Sequence, residues 1–101
     1  MDIIVQKFGG TSVSTEERRK QVIQKIILAS EKGYKPVVVV SAMGRIQAPY
    51  ATDTLLSLVD NNFKKDNKKA QDLLISCGEI ISTVVLCNDL YRYGIEAVPL
   101  T

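Results

Sequence analysis

Two short apolar runs stand out along this chain. Residues 3–5 are apolar without interruption, and residues 37–40 are four consecutive valines. Near-continuous, β-branched runs of this length are typical of strands in a parallel sheet whose two faces are both covered. We therefore predict strands over 2–8 and 35–42, and a third over 95–100 with Pro99 near its end.

Between the first two strands, apolar residues recur at the spacing of an amphipathic helix. We predict this helix over 15–32, with Ser14 or Thr15 as its N-cap and Gly33 just past its end. Glu16 and Glu17 would then lie in its first turn, where acidic side chains favour the helix dipole.

Two further helices are predicted between the second and third strands. The first covers 54–61 with Asp53 as its cap, and a polar stretch follows it. The second covers 68–93 and carries Gly78 in its middle, which predicts either a break or a close backbone contact. Alternation of strands and helices indicates an α/β fold with parallel pairing, so 7–10, 41–44 and Thr101 should meet at one edge of the sheet.

Composition narrows the function classes. A chain of 101 residues is long enough for one small domain, and a net charge of +2 is too small to argue for nucleic acid, so no such partner is expected. Histidine is absent and the only cysteines, Cys77 and Cys87, lack metal-ligand spacing, so we expect two buried reduced thiols and no metal site.

Targeting and membrane signals are not visible in the sequence. No uninterrupted apolar run approaches the roughly 20 residues that a membrane-spanning helix needs, so we expect a cytoplasmic protein without membrane contact. The chain opens on Met1 as a natural start would, whereas 95–101 read as a strand that runs into an unfinished loop. We therefore expect a fragment of a longer chain.

The loop at 7–12 has the composition of an anion site. Gly9 and Gly10 let a backbone approach a phosphate closely, the following helix would offer free N–H groups, and Lys7 adds a positive charge. The order of residues differs from the common phosphate loop, in which the lysine follows the glycines. Taken alone, a strand, two glycines and a helix favour a structural turn over a phosphate site.

The string Lys-Phe-Gly-Gly-Thr-Ser at 7–12 is more specific, since it resembles the signature of the aspartate kinases within the amino-acid kinase superfamily. Residues 38–44, 51–56 and 76–82 are similar to three further motifs of that family, in the same order. Residues 45–50 depart from its shorter-loop members as an insertion, which leaves Thr52 open to a role in helix capping.

The resemblance implies a three-layer α/β/α fold with a parallel sheet, the N-terminal part of a carbamate-kinase-like domain. Residues 1–101 would be its substrate-side portion, without the nucleotide half and the regulatory ACT domains. The implied activity is ATP-dependent phosphorylation of the side-chain carboxylate of L-aspartate to 4-phospho-L-aspartate, which begins lysine, threonine and methionine biosynthesis. Mg²⁺ is expected with ATP, and a homo-oligomer is expected.

The resemblance also implies a role for each matching residue. Lys7 would be catalytic and contact the transferred phosphoryl group, while the phosphates of ATP would face Gly9, Gly10, Thr11, Ser12 and Gly44. Aspartate would be bound by Ser41, Thr52 and Glu79, with Glu79 at a helix start beside the α-amino group. Simpler roles stay open: Ser41 as a strand-end hydrogen bonder and Glu79 as a charge on the helix dipole.

Two alternatives remain beside aspartate kinase. One is another member of the superfamily, acting on glutamate, carbamate or a nucleotide. The other is a non-catalytic binding domain that keeps the loop. Without a nucleotide half, we expect the isolated chain to be inactive and to self-associate through its sheet edges or its long helix.

Overall fold

A computed structural model of the chain describes residues 2–44 and 48–100. Its elements, in chain order, are β1 (Ile3–Phe8), α1 (Glu16–Glu31), β2 (Lys35–Val40), α2 (Thr52–Leu56), α3 (Asn61–Asp66) and α4 (Lys68–Arg92). The predicted α/β class is confirmed.

The two strands pair in parallel, as predicted. Ile3 lies opposite Lys35, and the register continues to Phe8 opposite Val40. Because both strands run in the same direction, their carboxyl ends lie side by side at one edge of the sheet. This edge carries the loops that follow β1 and β2.

Helix α1 forms where the sequence predicts it. The Thr15 side chain accepts a hydrogen bond from the Arg18 amide at 3.2 Å and caps the helix. Past the other end, Gly33 has a φ of +92°, a conformation that favours glycine. The buried face of α1, which includes Ile23 and Ile26, packs in the core against Val40 of β2.

The region between β2 and α4 differs from the prediction. Helix α2 begins at Thr52, earlier than expected, so Ala51 occupies the N-cap position and Asp53 lies in the first turn. Helix α3 occupies the polar stretch for which we predicted no helix, only a separation between two helices. The sequence of α3 lacks the periodic apolar residues that would predict a helix. A contact with the end of α2 supports it instead, because the Lys64 ammonium donates a hydrogen bond to the Leu56 carbonyl at 2.8 Å.

Helix α4 is continuous over 25 residues, so Gly78 makes a close contact and does not break the helix. One face of the helix, with Ser82, Leu86 and Leu90, is buried. An 18-residue window of α4 has a mean hydropathy of 1.6, which meets the length and composition of a membrane span, and 28% of that window is buried. Our search for uninterrupted apolar runs did not detect this window, because a mean hydropathy tolerates Glu79 within it. Since a core helix of a soluble protein meets the same criterion, the finding does not assign α4 to a membrane.

The predicted third strand is wrong for the described residues, in which the sheet has only β1 and β2. Residues 95–100 form no regular element, although they keep a strand-like alternation. Ile95 and Ala97 pack against the core, while Glu96 and Val98 are exposed. A strand requires a partner for its ladder, and the one recorded backbone bond of this segment runs from the Ile95 amide to the Leu90 carbonyl of α4 at 3.0 Å.

Both α1 and α4 cover the same face of the sheet. Phe8, Val38 and Val40 point towards the core cluster that these helices share. On the opposite face, Ile3 and Val5 are 65% and 61% exposed. Within the described residues, helices therefore cover only one face of the sheet. The apolar sequence of β1 predicted that both faces would be covered, and the second face is exposed here.

Candidate functional site at the carboxyl ends of the strands

Backbone hydrogen bonds join the loops that follow β1 and β2. The Ser41 amide donates to the Phe8 carbonyl at 3.2 Å, and the Gly44 amide donates to the Gly10 carbonyl at 3.0 Å. The predicted meeting of 7–10 with 41–44 at one edge is thus confirmed, and Thr101 lies outside the described residues. The loop from Gly9 to Thr15 is called the first loop below, and the loop from Ser41 to Gly44 is called the second loop.

The two glycines of the first loop have different surroundings. A Cβ atom on Gly10 would lie 2.4 Å from the Ala42 carbonyl oxygen and 2.9 Å from that of Gly44. Real Cβ atoms do not approach backbone that closely, so the second loop requires a glycine here. Gly9 is exposed, and a Cβ added to it would meet nothing within 4 Å. The first loop therefore has an enclosed side at Gly10 and an open side at Gly9.

Consecutive turns orient the peptide groups of the first loop. The Gly9 carbonyl accepts from the Ser12 amide at 3.0 Å, and the Thr11 carbonyl accepts from the Ser14 hydroxyl at 2.8 Å. In a planar trans peptide, the C=O and the N–H of the next residue point in opposite directions. The Gly10 amide therefore points away from the turn in which the Gly9 carbonyl is bonded. In this direction the amide could donate a hydrogen bond to an anion.

The first turn of α1 already carries groups that complement its free N–H groups. The helix begins at Glu16, well beyond the two glycines, and Glu16 and Glu17 occupy its first turn. The Thr15 hydroxyl already engages the Arg18 amide. These carboxylates complement the helix dipole themselves, so an anion at the glycines would rely on the amides of the loop.

Lys7 and Ser41 lie on the same exposed face of the sheet. Lys7 pairs with Val39 in the parallel register, and Ser41 follows two positions after Val39, so alternation places all three on one side. Both Lys7 and Ser41 are exposed. Lys7 has no ion-pair partner within the described ranges, which leaves its charge available at the end of β1.

Helix α4 passes directly behind the second loop. A Cβ on Gly78 would lie 2.8 Å from the Ala42 Cβ and 3.0 Å from the Tyr50 carbonyl oxygen. Glu79, the next residue of α4 after this close approach, has an exposed side chain. Glu79 is in the middle of α4, so our placement of it at a helix start, and with it the alternative of a dipole charge, is wrong.

Thr52 is the first residue of α2 and is half-buried. Its position corrects the capping alternative, because the N-cap is Ala51, which makes no side-chain cap bond. The structure thus brings Lys7, Gly10, Ser41 and Gly44 together at the sheet edge. Thr52 and Glu79 lie on α2 and α4, two helices that pack against each other.

Within residues 2–44 and 48–100, the structure contains no group of three or more histidine, cysteine, aspartate or glutamate side chains that could bind a metal ion. Cys77 and Cys87 are both free. Cys77 is exposed, which corrects the expectation of two buried thiols, and it lines an apolar groove with Phe63 and Leu73. Cys77 thus lies on the exposed side of α4, whereas its neighbour Gly78 lies on the buried side.

Sequence reasoning missed one pair of residues beside the site. Arg19 in α1 and Asp89 in α4 form an ion pair, with 2.5 Å between Nε and Oδ2. The available signal was a carboxylate on the buried stripe of α4, since Asp89 falls between Leu86 and Leu90 on that face. Its partner, 70 positions away, had no signal in the sequence.

Comparison with known proteins agrees with this geometry. The model of the amino acid kinase family matches residues 2–101, and the chain belongs to that family. The resemblance drawn from the four motifs is therefore confirmed at the level of the family.

The similar proteins are aspartate kinases. Aspartokinase 1 of Bacillus subtilis (strain 168) is 52% identical over 101 residues, which are 100% of this chain and 25% of that protein. The aspartokinase of Geobacillus stearothermophilus is 44% identical over the same 101 residues, which are 24% of that protein. A crystal structure of aspartate kinase from Synechocystis matches 95% of this chain and 16% of its own, with a TM-score of 0.81 and 40% identity. The chain thus spans about a quarter of the length of these curated relatives.

Proposed function

We propose that the whole protein is an aspartate kinase, which transfers the γ-phosphoryl group of ATP to the side-chain carboxylate of L-aspartate and forms 4-phospho-L-aspartate. The observation that carries this proposal is the similarity of the full chain to aspartokinases, at 52% identity in one of them. Residues 1–101 would be the substrate-side portion of the kinase domain. The nucleotide half and the ACT domains would belong to the remaining length.

The open side of the first loop would hold the transferring phosphoryl group. Phosphoryl transfer depends on positioning and charge neutralisation more than on covalent chemistry. Lys7 supplies an exposed positive charge without an ion-pair partner in the described residues, and Gly9 leaves space for close approach. ATP would supply the phosphoryl group, and its phosphates would face Gly9, Gly10, Thr11, Ser12 and Gly44.

The residues around the second loop would hold aspartate. The Ser41 hydroxyl and the Thr52 hydroxyl would hydrogen-bond the substrate, and the Glu79 carboxylate would pair with its α-ammonium group. Glu79 is exposed and directly follows Gly78, which approaches the second loop closely, and this neighbourhood supports the assignment. Mg²⁺ is expected with ATP, but the described residues offer it no acidic cluster, so we assign none of them as its ligand.

The biological setting follows from the proposed reaction. The product would enter lysine, threonine and methionine biosynthesis, and the enzyme would work in the cytoplasm as a homo-oligomer. No nucleic acid or membrane partner is proposed. The names of the relatives favour aspartate over glutamate, carbamate or a nucleotide as the phosphoryl acceptor.

Release of ADP by the whole protein tests this proposal. We expect ADP release from ATP and Mg²⁺ in the presence of L-aspartate and at most background release with L-glutamate or carbamate. Trapping of the acyl phosphate with hydroxylamine would identify the product. Equal rates with and without aspartate would contradict the proposal, and preference for another acceptor would reassign the substrate within the family.

A further inference from the structure

The guanidinium group of Arg19 joins three parts of the structure. Its Nη1 donates to the Val13 carbonyl of the first loop at 2.9 Å, and its Nε donates to Asp89 Oδ2 of α4 at 2.5 Å. The same Nη1 lies 3.7 Å from the sulfur of Met43 in the second loop. One side chain therefore contacts both loops of the candidate site and the helix behind them.

This group is largely buried, which makes its bonds hard to replace. The side chains of Arg19 and Asp89 are 13% and 7% exposed, and Val13 is 0% exposed. A buried carbonyl that loses its donor cannot turn to water, so it costs free energy or moves. The planar guanidinium can donate to a carboxylate and a carbonyl at once, whereas an ammonium lacks that fixed geometry.

The bonds of Arg19 complete a two-point attachment of the first loop. At its beginning, the Gly10 carbonyl is held by the Gly44 amide. At its end, the Val13 carbonyl is held by Arg19. Between these points lie Thr11 and Ser12, so the direction of the amides between them depends on both attachments.

We propose that Arg19 is a positioning residue of the phosphate-facing loop, held in place by Asp89, and that it acts without contacting substrate. This inference rests on the proposed function, because it names the residue that orients the loop for phosphoryl transfer. Its consequence is that removing the Arg19 bond to Val13 slows the chemical step even where the protein remains folded.

Arg92 provides a matched control. Its Nη1 lies 3.8 Å from Asp89 Oδ1 and 3.2 Å from Glu16 Oε1, so it shares the same carboxylate. Its side chain is 57% exposed, and none of its recorded bonds reaches the first loop. Arg92→Met removes a cation from the Asp89 cluster and leaves the attachment of the loop intact.

The test uses the whole protein with three changes: Arg19→Lys, the double change Arg19→Met with Asp89→Leu, and Arg92→Met. The double change removes both charges together, because a buried ion pair replaced by apolar side chains usually leaves a folded protein. Steady-state kinetics with ATP and aspartate are combined with hydrogen exchange at the amides of Ser12 and Ser14.

We expect kcat of the double variant to fall by about 10- to 100-fold, the loss that a small misplacement of reacting groups produces. KM for aspartate should change much less, and the Ser12 and Ser14 amides should exchange faster. Arg19→Lys should also lower kcat, but by a smaller factor. Arg92→Met should keep the wild-type kcat and loop exchange.

Three results would overturn the inference. They are a folded double variant with wild-type kcat and loop exchange, an Arg19→Lys variant with full wild-type kcat, and an Arg92→Met variant that loses as much kcat as the double variant. If the double variant does not fold, Arg19→Lys decides. Failure of the proposed function is distinguishable, because the unmodified protein would then show no aspartate-dependent ADP release while loop exchange would still test the attachment.

Discussion

The enclosed and open sides of the first loop differ in what surrounds them, although they are one residue apart. At Gly10, backbone oxygens of the second loop leave no space for a side chain. At Gly9, a methyl group would meet no atom within 4 Å, and the neighbouring Lys7 has no ion-pair partner within the described ranges. The same residue type thus serves packing at one position and access at the next.

This difference separates two kinds of requirement in the site. The enclosed side depends on contacts within the chain, so changes there should be visible as lost stability. The open side is proposed to face a ligand, so changes there should be visible in turnover alone. The predictions below test this separation, beginning with the largest expected loss of stability.

The largest loss is expected for Asp89→Ala. The change leaves the Arg19 guanidinium buried and unpaired, since its side chain is only 13% exposed. Breaking a buried pair in this way costs about 3–5 kcal/mol of unfolding free energy. Thermal or urea unfolding of the purified protein measures the loss, and the exposed partner Arg92, changed to Met, should cost no more than about 1 kcal/mol. Similar losses for the two variants would contradict the buried role of the pair.

A smaller loss is expected for Gly10→Ala. The added methyl would lie 2.4 Å from the Ala42 carbonyl oxygen, so the two loops must separate. We expect a loss of about 1–3 kcal/mol, as for other overpacked sites, against less than about 0.5 kcal/mol for Gly9→Ala. Unfolding of the two variants side by side is the measurement. If Gly9→Ala is the more destabilised, the assignment of enclosed and open sides is reversed.

The smallest of the three expected losses of stability is that of a change at Gly44, which has a φ of +87°. Gly33 has a similar φ of +92° but open space around it, whereas a Cβ on Gly44 would lie 2.5 Å from the Ala48 Cβ. Alanine at either position should cost about 1–2 kcal/mol for the left-handed conformation. Gly44→Ala should cost more than Gly33→Ala, and equal unfolding free energies would show that the Ala48 contact relaxes freely.

The sequence predicts the first half of the fold well because its signals are local. Thr15 caps α1, Gly33 follows its end, and the valines at 37–40 give β2. Each of these depends on residues that are adjacent in the chain. Their bounds in the structure differ from the prediction by no more than two residues at either end.

The second half depends on contacts between distant residues, which local patterns do not contain. Helix α4 continues through Gly78, where the helix closely approaches Ala42 and Tyr50, which are distant from it in the chain. Helix α3 and the unpaired segment at 95–100 likewise depend on their tertiary neighbours.

The candidate site divides in the same way. Its residues were predicted from motifs that resemble a family, and the structure brings the two loops together by their backbone bonds. The roles of Lys7, Ser41, Thr52 and Glu79 stay predictions. Arg19 and Asp89 could not be paired from the sequence, because nothing local connects residues that are 70 positions apart.

The most direct test of the central claim is the turnover of the Lys7→Met variant of the whole protein. Lys7 is exposed and has no ion-pair partner within the described ranges, so the variant should unfold at the wild-type temperature. Its kcat with ATP and aspartate should fall by about 10²- to 10³-fold, the usual effect of removing one stabilising group from a transition state. A folded variant with wild-type kcat would contradict the account of the open side as the phosphoryl-transfer site.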